Sequence, residues 1–325
     1  MALAPLSPPP EWPALTGADC LRLADFTESD LSQLVRLGRE LKQLHALKVP
    51  FEPLRGTTLA MIFDKPSTRT RVSFAVGIQQ LGGQPLELSP GTLQLSRGET
   101  LEDTGRVLSR YVDGIMMRTG PQEKLEALAE AAAIPVINGL SDRFHPCQLL
   151  ADLLTLYERF GTLRGLAVAY VGDGGNMAHS WLEAAALLGM GIRVASPPGY
   201  EPDAALVEWA RITATRSGGS VHVTHDPREA VAGADAVYTD VWISMGQEAE
   251  AEARRRAFTG FQVNRLLMQV AGPQAVFLHC LPAHRGEEVS GDVLDGPASL
   301  VWDQAENRLH AQKALLVSLL AARVR

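Results

Sequence analysis

Three hydroxyls and two guanidinium groups fall within five consecutive residues, Ser67-Thr68-Arg69-Thr70-Arg71. They follow an apolar run over 57–63 that reads as a buried strand. They precede Phe74, Ile78 and Leu81, which recur at helical spacing. The cluster therefore stands where a strand ends and a helix begins. Free backbone N–H groups and the helix dipole already favour an anion at such a place. The hydroxyls add donors, and the forked guanidinium groups match a phosphate in shape and charge. One serine there would be an ordinary helix cap. Two cations in a first helical turn oppose the dipole, which an unliganded helix would avoid. The stretch reads as an oxyanion site.

Other reactive residues also sit at predicted strand ends. Arg118 follows the short apolar strand 114–117. Pro146 disfavours helix for His145 and suits the first helical position itself, so His145 projects from the loop before a helix over 147–159. A histidine held there is suited to polarising a carbonyl. Gln148 lies in the first turn of that helix. Asp240 follows a strand over 236–239, at the carboxyl end where open α/β sheets bind ligands. His279-Cys280-Leu281-Pro282 closes a strand over 275–279. His279, Cys280 and His284 lack a second close ligand pair, so no metal site is expected. Arg308 falls in an early turn of the last predicted helix.

The elements that must position these residues alternate. Strands are expected over 135–138, 165–171, 191–196 and 220–224, with helices over 31–47, 101–111, 177–188 and 203–216. Over the second half that alternation implies a parallel, doubly wound sheet. A short strand at 301–302 and a helix over 303–322 end the chain. The turn Gly172-Asp173-Gly174-Gly175-Asn176 fits the first two glycines of a dinucleotide fingerprint. Met177 occupies the third glycine position, and Ser196-Pro197-Pro198 stands where a strand-end carboxylate is needed. Both departures speak against a nicotinamide cofactor. Asn176 either caps its helix or holds a ligand's carboxylate or amine. The polar stretch 89–99 reads equally as a binding loop or a solvated connection.

A chain of 325 residues suggests two domains. Its net charge of -7 argues against bulk nucleic-acid binding, so any basic site must be local. Three cysteines, Cys20, Cys147 and Cys280, cannot build a disulfide framework, and a reducing, cytoplasmic setting is expected. No apolar run is long enough for a membrane span. The Pro-rich start reads as neither a signal nor a transit peptide but as an extended tail over 1–16.

From about Leu21 to Leu320, the loop Ser67 to Arg71, His145-Pro146-Cys147-Gln148, Asp240 with Ser244-Met245-Gly246, and His279-Cys280-Leu281-Pro282 resemble the ornithine carbamoyltransferases. The first two motifs are shared with aspartate carbamoyltransferases; the last two are similar to the ornithine enzymes in particular. Gly175 replaces the first of a usual asparagine pair, and Asn176 supplies the second. The resemblance implies an α/β fold of two lobes, each a mostly parallel sheet flanked by helices. A carbamoyl phosphate-binding domain would cover 17–149 and an ornithine-binding domain 150–302. A final helix within 303–325 would cross back to the first lobe. It also implies a homotrimer, or a multiple of trimers, with shared active sites and Gln94 reaching a neighbour's site.

The implied reaction moves the carbamoyl group of carbamoyl phosphate to the δ-amine of L-ornithine, giving citrulline and phosphate in arginine metabolism, with no cofactor or metal. Carbamoyl phosphate would be held by Ser67, Thr68, Arg69, Thr70, Gln94, Arg118, His145, Gln148, Cys280, Leu281 and Arg308. Ornithine would be held by Asn176, Asp240, Ser244 and Met245. Arg69, Arg118, His145 and Cys280 would carry catalysis. The residue chemistry fits: the carbonyl oxygen gains negative charge as the amine attacks, and His145, Thr70 and Arg118 are suited to stabilise it. Rival readings are a carbamoyltransferase for putrescine, N-acetylornithine or aspartate, a nicotinamide-dependent dehydrogenase, and an amino-acid sensor without catalysis.

Overall fold

A computed structural model describes residues 12–15, 18–89, 93–244 and 246–321. Most of the expected 1–16 tail, residues 90–92 of the polar loop, Met245 and the end of the last helix lie outside them. The first half carries α1 (Glu28–Ala46), β1 (Thr58–Phe63), α2 (Thr68–Gln80), β2 (Gln84–Leu88), α3 (Leu101–Leu108), β3 (Gly114–Arg118), α4 (Gln122–Ala131), β4 (Val136–Leu140) and α5 (Pro146–Phe160). The second carries β5 (Ala167–Val171), α6 (Asn176–Leu188), β6 (Gly191–Ala195), α7 (Ala204–Ser217), β7 (Ser220–Thr224), α8 (Pro227–Val231), β8 (Ala236–Thr239), α9 (Ala251–Ala257), α10 (Arg265–Ala271), β9 (Val276–His279) and α11 (Gly291–Leu294). The helix α12 (Val301–Leu320) follows.

Two parallel sheets result, in the orders β2-β1-β3-β4 and β7-β6-β5-β8-β9. In each, the chain builds to one side of its first strand and then crosses to the other. The switch points lie between β1 and β3 and between β5 and β8. Connections diverge there and leave a crevice beyond the strand ends. Phe63 pairs in register with Arg118, and Arg118 with Leu140, so the loops after β1, β3 and β4 emerge side by side. Asp64 seals two of them: its N–H donates to the Arg118 carbonyl at 2.9 Å, and its carboxylate accepts from Thr119 Oγ1 at 2.9 Å.

The largest core is continuous from α1, α5 and α12 through to β5 and α6. The last helix returns to the first lobe and packs against α5, α1 and α2. Gly77 permits part of this contact, because a Cβ there would meet Lys313 and Leu309 side chains at 3.4 and 3.6 Å.

Two local expectations fail. The strand expected at 301–302 is the first turn of α12. Strand-like pairing with β9 occurs just before it, where Phe277 bonds the backbone of Ala298 and Leu300. The edge strand β2 was not anticipated. It is half exposed and contains Pro85, so it lacks the alternating apolar pattern that identifies a strand.

Candidate active site

A cleft of about 1090 Å³ opens between the carboxyl ends of the two sheets. Ser67, Thr68, Arg69, Arg118 and His145 line it from the first lobe. Asn176, Asp240, Ser244, Cys280 and Leu281 line it from the second, and Arg308 from α12. The sequence motifs, scattered over 240 residues of chain, thus face one space. Lys65, in the same loop as Ser67, also lines it.

Ser67 is the cap of α2: its Oγ accepts from the Thr70 N–H at 3.3 Å. The remaining first-turn N–H groups face an opening with no acidic residue in that turn. Thr70 is fully buried behind this turn and binds two arginines. Arg308 Nη2 donates to Thr70 Oγ1 at 2.7 Å, and Arg118 Nη1 to the same oxygen at 3.4 Å. Arg308 Nη1 donates to Gln148 Oε1 at 2.8 Å. Thr70 and Gln148, both buried, therefore anchor Arg308 from both sides. Arg71 departs from expectation. Its guanidinium lies 4.5 Å over the Phe63 ring and pairs with Glu87 on β2, so it serves the sheet edge and not the cleft.

Three guanidinium groups converge without a direct ion-pair partner among the described residues. Among the described residues, none of Arg69, Arg118 and Arg308 forms an ion pair, and buried Nε atoms of Arg118 and Arg308 have no acceptor. Burial, then Arg308 and Arg69, lower Arg118 to about 10, which still leaves it protonated at neutral pH. Such a concentration of unpaired positive charge in a partly dry pocket is unfavourable by itself and suits a multiply charged anion.

His145 is 3% exposed. Burial first, then Arg308, Arg118 and Arg69, hold its imidazole well below the usual range, so it is neutral. Its backbone N–H donates to Ser180 Oγ at 2.8 Å, and Ser180 Oγ donates to the Asn176 carbonyl at 2.8 Å. The ring Nδ1 has no partner among the described residues. A neutral imidazole held this way can offer a hydrogen bond to a carbonyl oxygen without adding a fourth cation.

Across the cleft, Cys280 Sγ donates to Asp240 Oδ1 at 3.0 Å, and the same oxygen accepts from the Val241 N–H at 2.7 Å. Burial and the Asp240 charge push the thiol well up, so Cys280 is a protonated thiol and not a thiolate nucleophile. Leu281 adopts φ of 59°. Its N–H donates to His279 Nδ1 at 2.8 Å, which leaves His279 Nε2–H to donate to buried Glu288 at 3.3 Å. The grouping of Asp240, His279 and Cys280 has metal-ligating atom types close together, but its atoms are engaged in these bonds.

Asn176 does not cap α6; Gly175 does. Instead its Nδ2 donates to the Ser141 carbonyl in the first lobe at 2.8 Å, leaving Oδ1 toward the cleft it lines. The turn before it is fixed by a close approach: a Cβ on Gly174 would lie 2.3 Å from the Glu201 carbonyl carbon. Arg254 on α9 ties this turn to the Asp240 loop, pairing with Asp173 at 3.2 Å and donating to the Trp242 carbonyl at 3.1 Å. Ser244 lines the cleft, while Met245 lies outside the described residues. Gln94 is exposed, in a short 3-10 helix over Gln94–Arg97, and does not line this chain's cleft.

Sequence reasoning missed Asp152 and Gln304. Both are buried one layer behind the wall, and burial pushes Asp152 up to about 7. The only signal in the sequence was a carboxylate on the otherwise apolar face of α5, four residues after Gln148.

Residues 18–158 match the family model described as aspartate/ornithine carbamoyltransferase, carbamoyl-P binding domain. Residues 164–319 match its companion, the Asp/Orn binding domain. The chain is 60% identical over 306 residues to a protein of Anoxybacillus flavithermus named ornithine carbamoyltransferase, covering 94% of this chain and 98% of that one. It is similar to a solved ornithine carbamoyltransferase from Pyrococcus furiosus, with a TM-score of 0.92 and 55% identity, covering 94% of this chain and 98% of the other. It is also similar to the anabolic ornithine carbamoyltransferase of Campylobacter jejuni, with a TM-score of 0.88 and 42% identity, covering 95% and 100%. With a two-lobed fold, a cationic pocket facing a thiol–carboxylate pair, and matches that span nearly all of its length, the chain belongs to the aspartate/ornithine carbamoyltransferase family.

Proposed function

We propose that this protein transfers the carbamoyl group of carbamoyl phosphate to the δ-amine of L-ornithine, releasing L-citrulline and phosphate. The observation that carries the reading is the set of three arginines without a direct ion pair, gathered around the N-terminus of α2 and facing the Asp240–Cys280 pair across one cleft. A sensor has no need of that much oxyanion-directed charge, and a dehydrogenase needs a dinucleotide turn that Met177 and Ser196 do not supply.

In this reading 17–149 forms the carbamoyl phosphate domain and 150–302 the ornithine domain, with α12 completing the donor pocket through Arg308. The phosphate lies on Ser67, Thr68 and the α2 N-terminus, with Arg69 and Arg118 supplying charge. Thr70 positions both Arg118 and Arg308. The carbamoyl carbonyl accepts from neutral His145 and from Arg118. One such donor is typically worth ~3 kcal/mol to the transition state. Gln148 keeps one lone pair on Oε1 after serving Arg308, and that lone pair accepts from the carbamoyl NH2.

Asn176, Asp240, Ser244 and the Met245 backbone hold the α-amino and carboxylate groups of ornithine. Cys280 and the Leu281 carbonyl orient its δ-amine. An alkyl ammonium with a pKa of roughly 10 must lose a proton before it attacks. The nitrogen then forms its bond to the carbonyl carbon, the C–O bond to phosphate breaks, and the departing phosphate takes the amine's second proton. Rate enhancement comes from positioning two substrates and from fixed charge around the developing oxyanion.

The proposed assembly is a trimer, or a multiple of it, in which Gln94 serves a neighbour's site; its exposure away from its own cleft supports this. Three unpaired thiols suit a reducing, cytoplasmic setting. Among the described residues no helix is long and apolar enough to cross a membrane. The deciding experiment supplies carbamoyl phosphate with ornithine, putrescine, N-acetylornithine or aspartate and measures the carbamoylated product and phosphate. Ornithine is expected to be preferred by at least a hundredfold in kcat/KM; equal or better use of another acceptor would overturn the assignment.

A further inference from the structure

Behind the cleft, one carboxyl is bonded to two amides that reach opposite sides of the site. Asp152 Oδ1 accepts from Gln148 Nε2 at 2.8 Å and from Gln304 Nε2 at 2.7 Å. The other end of each amide is committed. Gln148 Oε1 accepts from Arg308 at 2.8 Å, and Gln304 Oε1 accepts from the His279 N–H at 2.9 Å. All of these groups are buried, with Asp152 itself at 0% exposed. Tyr238 from β8 closes the cluster, its hydroxyl 3.3 Å from Gln304 Nε2. The first lobe, the second sheet and the returning helix therefore meet at this carboxyl.

The polarity of the two amides follows from their partners. A guanidinium and a backbone N–H can only donate, so each glutamine must turn its carbonyl toward them. Each NH2 then points the other way and requires an acceptor. An ionised or neutral carboxyl can accept both; a side chain presenting a donor there would force one amide to flip. A flipped Gln304 would face the His279 N–H with its own NH2, donor against donor, directly beneath Cys280. A flipped Gln148 would do the same to Arg308.

We propose that Asp152 is a positioning residue for the transfer reaction, fixing through Gln148 and Gln304 the placement of Arg308 on the donor side and of the His279–Cys280 strand tip on the acceptor side. This rests on the function proposed above. It assigns to one buried group the alignment of the two half-sites, which the cleft-lining residues alone cannot set.

The pattern of donors and acceptors offers a test by paired substitution. Both amides donate to Asp152 Oδ1, and Oδ2 has no hydrogen-bond partner among the described residues. Asp152→Asn therefore keeps the shared acceptor, with its NH2 at the Oδ2 position, whereas Asp152→Leu removes the acceptor from both glutamines. Neither variant carries a charge there, so the pair separates loss of the acceptor from loss of the charge. The full-length variants are assayed beside the wild type with carbamoyl phosphate and ornithine, and their folding is checked by circular dichroism and Tm.

D152L is expected to lose at least tenfold in kcat, a larger factor than either KM changes, and D152N to stay within about threefold of wild type. A residue that served stability alone would lower Tm in D152L without this loss of kcat. Kinetics for D152L within twofold of wild type overturn the proposal, as does a D152N variant that loses tenfold or more in kcat or does not fold. Should D152L not fold, D152N decides alone. A wild-type protein that makes no citrulline would instead sink the functional reading, so the two failures are distinct.

Discussion

Arg308 donates from Nη2 to Thr70 Oγ1 at 2.7 Å across 238 residues of sequence. One guanidinium thus joins the last helix to the first turn of α2, and this wall of the cleft is incomplete until the chain has returned on itself. The same side chain reaches Gln148 with its other nitrogen. Two fixed N–H groups at a set angle are what a lysine cannot reproduce. Arg308→Lys is therefore expected to keep the positive charge and the fold but lose at least tenfold in kcat/KM for carbamoyl phosphate, with a smaller change in the ornithine KM. Steady-state kinetics with each substrate varied in turn check this.

Arg69 contributes charge at the cleft surface without an ion-pair partner among the described residues. Its removal relieves repulsion with Arg118 and Arg308 in the free protein. Arg69→Ala should accordingly stay folded, with an unchanged or slightly higher Tm, while losing carbamoyl phosphate binding and turnover by a hundredfold or more. Calorimetric titration with carbamoyl phosphate or inorganic phosphate measures the binding arm. Undiminished binding would take the Ser67–Arg71 turn out of the mechanism.

Asp240 receives the Cys280 thiol and the Val241 N–H on one oxygen, which leaves the other available at the cleft. Asp240→Ala should raise the ornithine KM more than tenfold and change the carbamoyl phosphate KM by less than threefold. The split between the two constants is the measurement. An unaltered ornithine KM would remove Asp240 from the acceptor pocket.

His145 gives a pH dependence whose direction is set by its burial among three guanidinium groups. Unfolded, the imidazole takes a proton near pH 6.5; folded, it stays neutral to lower pH. Below 6.5 the unfolded chain therefore binds the extra proton, and acidification favours unfolding. Stability rises with pH up to about 6.5 and gains nothing further from this group above it. His145→Asn should flatten the loss between pH 6.5 and 5 by up to about 1.4 kcal/mol per pH unit. Urea unfolding of both proteins across that range checks the slope. His179 and His310 are also lowered and retain their own contributions in the variant.

Gly174 leaves no room for a side chain, since its added Cβ would lie 2.3 Å from both Glu201 carbonyl carbon and Pro202 nitrogen. These are backbone atoms that cannot rotate away. Gly174→Ala is expected to cost about 2 to 3 kcal/mol and to displace Asn176. The expected readout is a lower Tm together with a raised ornithine KM. By contrast Gly175, whose added Cβ would meet only the Asp173 carboxylate at 3.3 Å, should accept alanine with little change in Tm.

The local chemistry was legible because it is written in short stretches. Ser67 to Arg71 stood out through residue types that conflict with ordinary helix capping, and its Ser67, Thr68 and Arg69 line the cleft; Pro146 announced a helix start that leaves His145 before it. Arg71 could not be separated from Arg69 in the same way. Both lie in one helical turn, and only the arrival of β2 with Glu87 turns Arg71 outward. Asn176 read as a cap or a ligand group; it is not the cap of α6, it lines the cleft, and its Nδ2 bonds a carbonyl of the other lobe.

The sequence alone pointed to the strand–helix alternation, to a parallel sheet in the second half, and to Ser67, Arg69, Arg118, His145, Asp240 and Cys280, which line the cleft. Periodicity, turn chemistry and charge act over a few residues and need no partner from afar. Only the tertiary structure decided which of those groups meet. It brought Arg308 to Thr70, set Cys280 against Asp240, and buried Asp152 between Gln148, four residues away in sequence, and Gln304, 152 residues away. Hydrogen bonds act within a few ångströms and charge repulsion within roughly ten, whereas sequence separation carries no distance at all. Their outcome is therefore fixed by how the two sheets and the returning helix pack.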